Sequence, residues 1–137
     1  MPRHDHPLFT RLYTVIARVE DAGAVGQARS EVLSELSGRV LIVGLGTAAD
    51  LHHLPAAVTE VVAVEPSASM RHAAAAAVQR ARDAGVAVEV LDAVGEDLPL
   101  PDGSVDAAVL AYVMCSVDDP DQVVSEVRRV LRPGGTV

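Results

Sequence analysis

From Leu8 to Val19 the apolar side chains return every three or four positions, at Leu8, Phe9, Leu12, Tyr13, Val15, Ile16 and Val19. That spacing marks one face of an amphipathic helix. A second helical stretch runs from about Val25 to Leu36 and stops at Ser37-Gly38, a helix C-terminal signal. The rhythm then changes: VLIVG, Val40 to Gly44, is continuously apolar and ends in glycine, as a strand buried on both faces does. Three later stretches repeat the pattern: VTEVVAVE ending in Glu65, VAVEVLD ending in Asp92, and VDAAVLAYVM from Val105 to Met114. Helical segments separate them. Ala68 to Asp83 is rich in alanine, a strong helix former, and stops at Gly85. Asp121 to Leu131 puts Val123, Val124, Val127, Val130 and Leu131 on one face, with Asp119 or Asp121 as N-cap and Arg128, Arg129 and Arg132 near its C-terminal dipole. Strands alternating with helices of this length predict βαβ units and a parallel sheet, an α/β fold. Gly134-Gly135 looks like a turn into a fifth strand, of which only Thr136 and Val137 would remain.

Composition narrows the class. With 137 residues, half of them hydrophobic, the chain can bury one core, so a single domain over 1–137 is expected. Two Tyr, one Phe and no Trp leave that core to Ala and β-branched side chains, which suit a sheet flanked by helices. A formal charge of −8 repels phosphate backbones and anionic headgroups, so nucleic acid and acidic membranes are not expected as partners. Cys115 is the only cysteine, which rules out a disulfide framework or a cysteine-based zinc site within one chain and fits a reducing, cytoplasmic setting. The N-terminal MPRHDHPLF lacks a signal-peptide core, and the longest apolar run, Ala107 to Cys115, is far shorter than the roughly 20 residues of a membrane span.

Chemistry gathers at two strand ends. Gly44-Leu45-Gly46-Thr47-Ala48-Ala49 follows the first strand, where glycines let the backbone turn tightly and approach a ligand. Glu65 closes the second strand, twenty-one residues after Gly44, where a carboxylate can accept both hydroxyls of a ribose. This pair points to a nucleoside cofactor without choosing it, because GLGTAA also satisfies the dinucleotide fingerprint of an NAD-dependent enzyme.

Four stretches taken in order do choose. GRVLIVGLGTAAD, VVAVEPSASM, AVGEDLPLPDGSVDAAVLAYVMCSVDDP and EVRRVLRPGG resemble, over residues 38 to 137, the successive motifs of class I S-adenosylmethionine-dependent methyltransferases acting on small molecules. The N-terminal HPLF and the CSV after the fourth strand are similar to the thiol methyltransferase-like branch. The resemblance implies a doubly wound, mostly parallel Rossmann-like sheet, with 1–37 as an N-terminal helical lid and 38–137 as a core lacking the family's last strands.

It also implies roles. Gly44, Gly46 and Thr47 would lie beside the methionine part of S-adenosylmethionine, and Glu65 would hold the ribose. Pro66 and Met70 would pack near the adenine, Gly95 and Glu96 would contact that ring, with Asp92 or Glu96 reaching its exocyclic amine, and Leu98 would form an apolar wall. Ala111 and Tyr112 would face the methyl group and a small-molecule acceptor. The reaction implied is direct displacement, with S-adenosylhomocysteine as product and no obligatory base.

Two positions depart from the family pattern: Ile42 stands where an acid is usual, and Ala48 where glycine is usual. Asp50 is the candidate to compensate at the methionine end. A fourth strand left at the sheet edge would expose apolar positions, so a homodimer through that edge, or a non-catalytic shortened module, is the alternative expectation. His4, His6, His52 and His53 form no convincing metal set, His6 being the one that could touch an acceptor. Cys115 is expected as a small core hydrophobe, and Asp118, Asp119 and Asp121 as caps of the last helix.

Overall fold

The computed structural model describes residues 6–111 and 113–137. Two helices, α1 (Pro7–Asp21) and α2 (Ala24–Leu33), precede strand β1 (Gly38–Val43) and a 3-10 turn (Ala49–His52). Then follow β2 (Val58–Val64), α3 (Ala68–Asp83), β3 (Ala87–Leu91), β4 (Val105–Val109), α4 (Pro120–Val130) and β5 (Leu131–Thr136). The strands pair in the order β3-β2-β1-β4-β5, all parallel. The chain therefore builds outward on one side of β1, then returns to build outward on the other. That reversal opens a crevice at the carboxyl ends of β1 and β4, the place where such sheets bind ligands.

Alternation along the central strands sorts their side chains onto two faces. Val40, Ile42, Val61, Ala63 and Val88 meet Leu33, Leu36, Leu51, Ala74, Ala77 and Val78 on one side. On the other, Leu41, Val43, Val62, Val64, Val105 and Ala108 meet Leu98, Leu100, Val123, Val127 and Val130. Each fully buried Val, Leu or Ile contributes about 1.5–3 kcal/mol, so a core of small side chains depends on many such contacts. Asp119 caps α4 through Oδ1, which accepts the Gln122 N–H at 3.1 Å, and Pro120 opens its first turn.

Three expectations change. Strand β4 ends at Val109 rather than Met114, and Leu110, Val113, Met114 and Val117 leave the sheet to pack on the second core cluster. The apolar run is long because Ala107 and Ala108 pack inward as strand and Leu110, Val113 and Met114 as loop. Strand β5 begins at Leu131, before the glycines, and lies along β4, so Val105, Ala107 and Ala108 are at most 3% exposed. The apolar edge that motivated a homodimer is covered. The outer edge is instead β5, where exposed Arg132, Pro133 and two glycines discourage strand pairing. Third, α1 turns Thr10 inward, 6% exposed with its hydroxyl 2.8 Å from that of Ser69, while Leu8, Leu12, Val15 and Val19 face outward. Its periodicity is helical, yet the apolar face is not the packed one. Among the described residues, no helix is long and apolar enough to cross a membrane.

Candidate functional site

The loop after β1 is fixed by its backbone. Gly44 and Leu45 both donate N–H bonds to the Val64 carbonyl, at 2.9 and 3.2 Å, drawing the turn onto the end of β2. Gly44 has φ +74° and Gly46 φ +56°, the left-handed region where a side chain is strained. Val113 packs directly over Gly44, so a Cβ there would overlap its methyl. Gly46, by contrast, faces open space, with Tyr13 Cε1 3.8 Å from where a Cβ would stand. Ala48 takes φ +64°, the same left-handed conformation that the family's usual glycine adopts freely.

Glu65, 8% exposed, follows β2 and turns its carboxylate toward that loop. Oε2 accepts the Gly46 N–H at 2.9 Å and Oε1 accepts the Ser67 N–H at 3.0 Å. Each carboxylate oxygen has two acceptor sites, so both keep capacity for a further donor such as a sugar hydroxyl. The same residue's carbonyl accepts from Arg71 Nη1 at 2.7 Å, and Ser67 Oγ caps α3 by accepting the Met70 N–H at 3.2 Å.

These groups line one cavity of about 680 Å³ at the carboxyl ends of the strands. Its size falls in the roughly 300–1,000 Å³ range of small-molecule sites. Its lining includes Gly44 and Gly46 of the glycine loop, Glu65 and Pro66 after β2, Met70 on α3, Ala93, Val94 and Gly95 after β3, and Ala111, Val113 and Cys115 after β4. Helix α1 covers it with Phe9, Thr10 and Tyr13, the two rings stacked at 5.7 Å. A buried carboxylate held at the glycine loop, beside apolar side chains, suits a nucleoside ligand.

A methyltransferase-domain family profile matches residues 41–137. The chain belongs to that family, the class I S-adenosylmethionine-dependent methyltransferases. It is 32% identical over 135 residues to human thiol S-methyltransferase TMT1A, covering 94% of this chain and 54% of the relative. A shorter match, 57% identical over 44 residues, links 31% of it to 18% of human thiol S-methyltransferase TMT1B. The chain thus spans about half the length, or less, of these relatives. Among solved structures, a SAM-dependent methyltransferase from Aquifex aeolicus superposes with TM-score 0.70 at 25% identity, covering 93% of this chain and 68% of that one. A Methanococcus maripaludis protein shares the fold at TM-score 0.82 and 16% identity, over 99% of this chain and 64% of that one. S-adenosylmethionine is the family's cofactor, and the Glu65 geometry and the cavity fit it. The dinucleotide reading of GLGTAA is set aside.

Within this methyltransferase domain, eight residues expected at the cofactor line the cavity: Gly44, Gly46, Glu65, Pro66, Met70, Gly95, Glu96 and Ala111. Two do not. Leu98 is 3% exposed and points under α4 into the second core cluster, its N–H donated to Glu126 Oε2 at 2.8 Å. It is a core residue because α4 needs an apolar partner there. Thr47 lies in the loop but off the cavity wall, where Ala49 stands instead.

Others reach the site in a different role from the one expected. Glu96 turns its carboxylate to the N–H groups of Asp118 and Asp119, at 2.8 and 3.3 Å, pinning the loop before α4. A Cβ on Gly95 would lie 2.8 Å from Val43 Cγ1, so this glycine permits close packing of the loop on β1. Asp92 pairs with Arg71 at 3.1 Å. Cys115 is exposed at the cavity wall rather than buried, because the chain has left the sheet by then. His6 also lines the cavity, while His4 and Tyr112 lie outside the described residues. Among the described residues, no group of three or more His, Cys, Asp or Glu side chains is disposed to hold a metal ion.

Asp50 is the clearest correction. It is 5% exposed, absent from the cavity wall, and accepts from Arg29 Nη1 at 2.7 Å. Burial pushes its carboxyl above the ordinary 3.8, against the opposing pull of the Arg29 guanidinium. Arg29, unremarkable in the sequence, is the one that lines the cavity. Phe9 and Tyr13 were likewise legible only as helix positions.

Proposed function

We propose that this domain binds S-adenosylmethionine in the cavity beneath α1 and directs its methyl group to a small-molecule acceptor by direct displacement. The observation that carries the reading is the Glu65 carboxylate, buried and hydrogen-bonded to the Gly46 N–H across the site. The bound sulfonium supplies an activated methyl and a good leaving group. The chain's own part is alignment and exclusion of water. Glu65 grips the sugar, the apolar slot at Pro66, Met70 and Ala93 takes the adenine, and α1 closes over the remainder.

The relatives named thiol S-methyltransferases support a thiol as acceptor, and the apolar wall of Phe9, Ala111 and Val113 suits an apolar one. A free thiol is already a few per cent thiolate at pH 7, so such a site functions without a dedicated base. Homodimerisation through the sheet is no part of this reading, since β5 covers β4.

Titration calorimetry with S-adenosylhomocysteine tests it. Wild-type protein should bind, and Glu65→Gln should weaken binding about tenfold to hundredfold, the loss of one charge-assisted hydrogen bond. Glu89→Gln, at an exposed position on β3 away from the cavity, should bind like wild type. Equal affinity of the Glu65 and Glu89 variants would refute the assignment.

A further inference from the structure

The family's usual acid at the end of β1 is replaced here by Ile42, whose side chain is fully buried in the first core cluster and cannot face a ligand. Asp50 does not take its place, being held by Arg29 beside the cavity rather than in it. What then meets the charged tail of the cofactor? The residues that line the cavity with Glu65 differ chemically. Pro66, Met70, Ala93 and Val94 suit a planar, largely apolar base, whereas Arg29 reaches the wall from α2, tied through Asp50 to the turn that follows the glycine loop and bears Ala49.

Of the acidic side chains on the wall, Glu65 and Glu96 are carboxylates already turned to backbone N–H groups, and Asp118 also lines it. Among the described residues Arg29 is the only arginine on the wall, and the sequence contains no lysine. Its guanidinium is aimed from two sides. Nη1 donates to Asp50 Oδ1 at 2.7 Å in the 3-10 turn that follows the glycine loop, and Nε lies 3.3 Å from Asp21 Oδ1 at the end of α1. Asp21 is itself braced by His53 Nε2 at 2.9 Å, and His53 Nδ1 lies 2.8 Å from the Ser30 hydroxyl. A guanidinium held in one plane is the side chain best matched to a carboxylate.

We propose that Arg29 binds the α-carboxylate of the cofactor's methionine tail, with Asp50 and Asp21 as its positioning residues. The assignment rests on the S-adenosylmethionine pocket proposed above. It means that this domain anchors the tail through its carboxylate, from α2.

Two ligands separate the carboxylate from everything else: S-adenosylhomocysteine, and 5′-methylthioadenosine, which has the same nucleoside and thioether sulfur but no amino-acid tail. Calorimetry on wild type, Arg29→Gln and Arg29→Lys, with circular dichroism melts for folding, reads the difference. Arg29→Lys keeps a cation against Asp50 and is the variant to use if Arg29→Gln fails to fold. Expected for either is a tenfold to hundredfold loss for S-adenosylhomocysteine, on the order of one charge-assisted pair. Affinity for 5′-methylthioadenosine should stay within about twofold, as neither variant touches the nucleoside end. An equal loss for both ligands, or no loss for either, overturns the role of Arg29 while leaving the pocket intact. Failure of wild-type protein to bind either ligand overturns the pocket itself, and this inference with it.

Discussion

Gly44 and Gly46 share a left-handed backbone but not a neighbourhood, and replacing each by alanine measures that difference. Both substitutions force a side chain into the left-handed region, at about 1–2 kcal/mol. Both also stiffen the unfolded chain, which returns about 0.4–1 kcal/mol. These terms are common to the pair and cancel in the comparison. What remains is contact. At Gly44 a new Cβ would overlap a Val113 methyl and lie 2.9 Å from Val113 Cβ, and Val113 is backed by the second core cluster. At Gly46 the nearest atom is Tyr13 Cε1 at 3.8 Å, an ordinary contact.

Gly44→Ala should therefore be less stable than Gly46→Ala by the overpacking term alone, about 1–3 kcal/mol. Urea unfolding followed by circular dichroism reads this as a shift in midpoint at constant slope. Adding Val113→Ala should recover part of the Gly44→Ala loss, and none of the Gly46→Ala loss. Binding should run the other way. The Gly46→Ala methyl projects across the cavity toward Tyr13, so its affinity for S-adenosylhomocysteine should fall although its fold is nearly intact. Equal midpoints for the two variants, or no recovery on trimming Val113, would show that the loop's glycines are kept for backbone freedom alone.

Two further outcomes follow from burial and pairing. Ile42→Asp restores the family's usual residue type, yet places a carboxyl at a fully buried site without a partner. It should cost about 3–5 kcal/mol at pH 7 and less as the pH falls and the introduced group protonates, measured by thermal melts at several pH values. Asp106 accepts the Arg39 N–H at 2.8 Å and Arg132 Nη1 at 2.7 Å, and these bonds hold its carboxyl below the ordinary 3.8. Since the folded state then binds its proton less readily than the unfolded state, Asp106 stabilises fully above about pH 5, and that contribution is lost as the pH falls through the folded pKa. Wild type should thus exceed Asp106→Asn in urea midpoint at pH 7, with the gap closing towards pH 3; a gap that widens in acid would reverse the sign. Asp50, raised by burial, works oppositely and offsets part of this slope.

The strands and the Gly44–Glu65 pair were legible because each depends on signals carried within a few residues. A strand buried on both faces must be apolar throughout, and a carboxylate closing β2 is fixed opposite the end of β1 by parallel pairing, Val43 with Val64. The end of β4 was not legible. Ala107 to Cys115 is apolar along its whole length because Ala107 and Ala108 pack as strand while Leu110, Val113 and Met114 pack as loop, and periodicity sees only that both leave water. Leu98 fails for a related reason: its apolarity was plain, but the cavity and α4 both offered an apolar surface, and α4 received it. In β5, Pro133 and the two glycines carry turn chemistry, and the strand absorbs it as an irregularity: Gly134 has φ +80°, and pairing with β4 passes from Leu131 opposite Val105 to Thr136 opposite Ala107.

Arg29 shows the limit most sharply. Nothing in AVGQARSEVL distinguishes it from a solvated helix arginine, and its position on the cavity wall arises only when α2 packs beside the 3-10 turn, so that Asp50 can fix its guanidinium. The departure at Ile42 lies in a motif, while Arg29 reaches the cavity wall from an element outside the matched residues 41–137. A motif records the residues that evolution placed on one loop. Recognition of a zwitterionic tail asks only for the right charge at the right distance, and a preceding helix can provide it. Under the role proposed for Arg29, the departure at Ile42 changes which end of the tail is held.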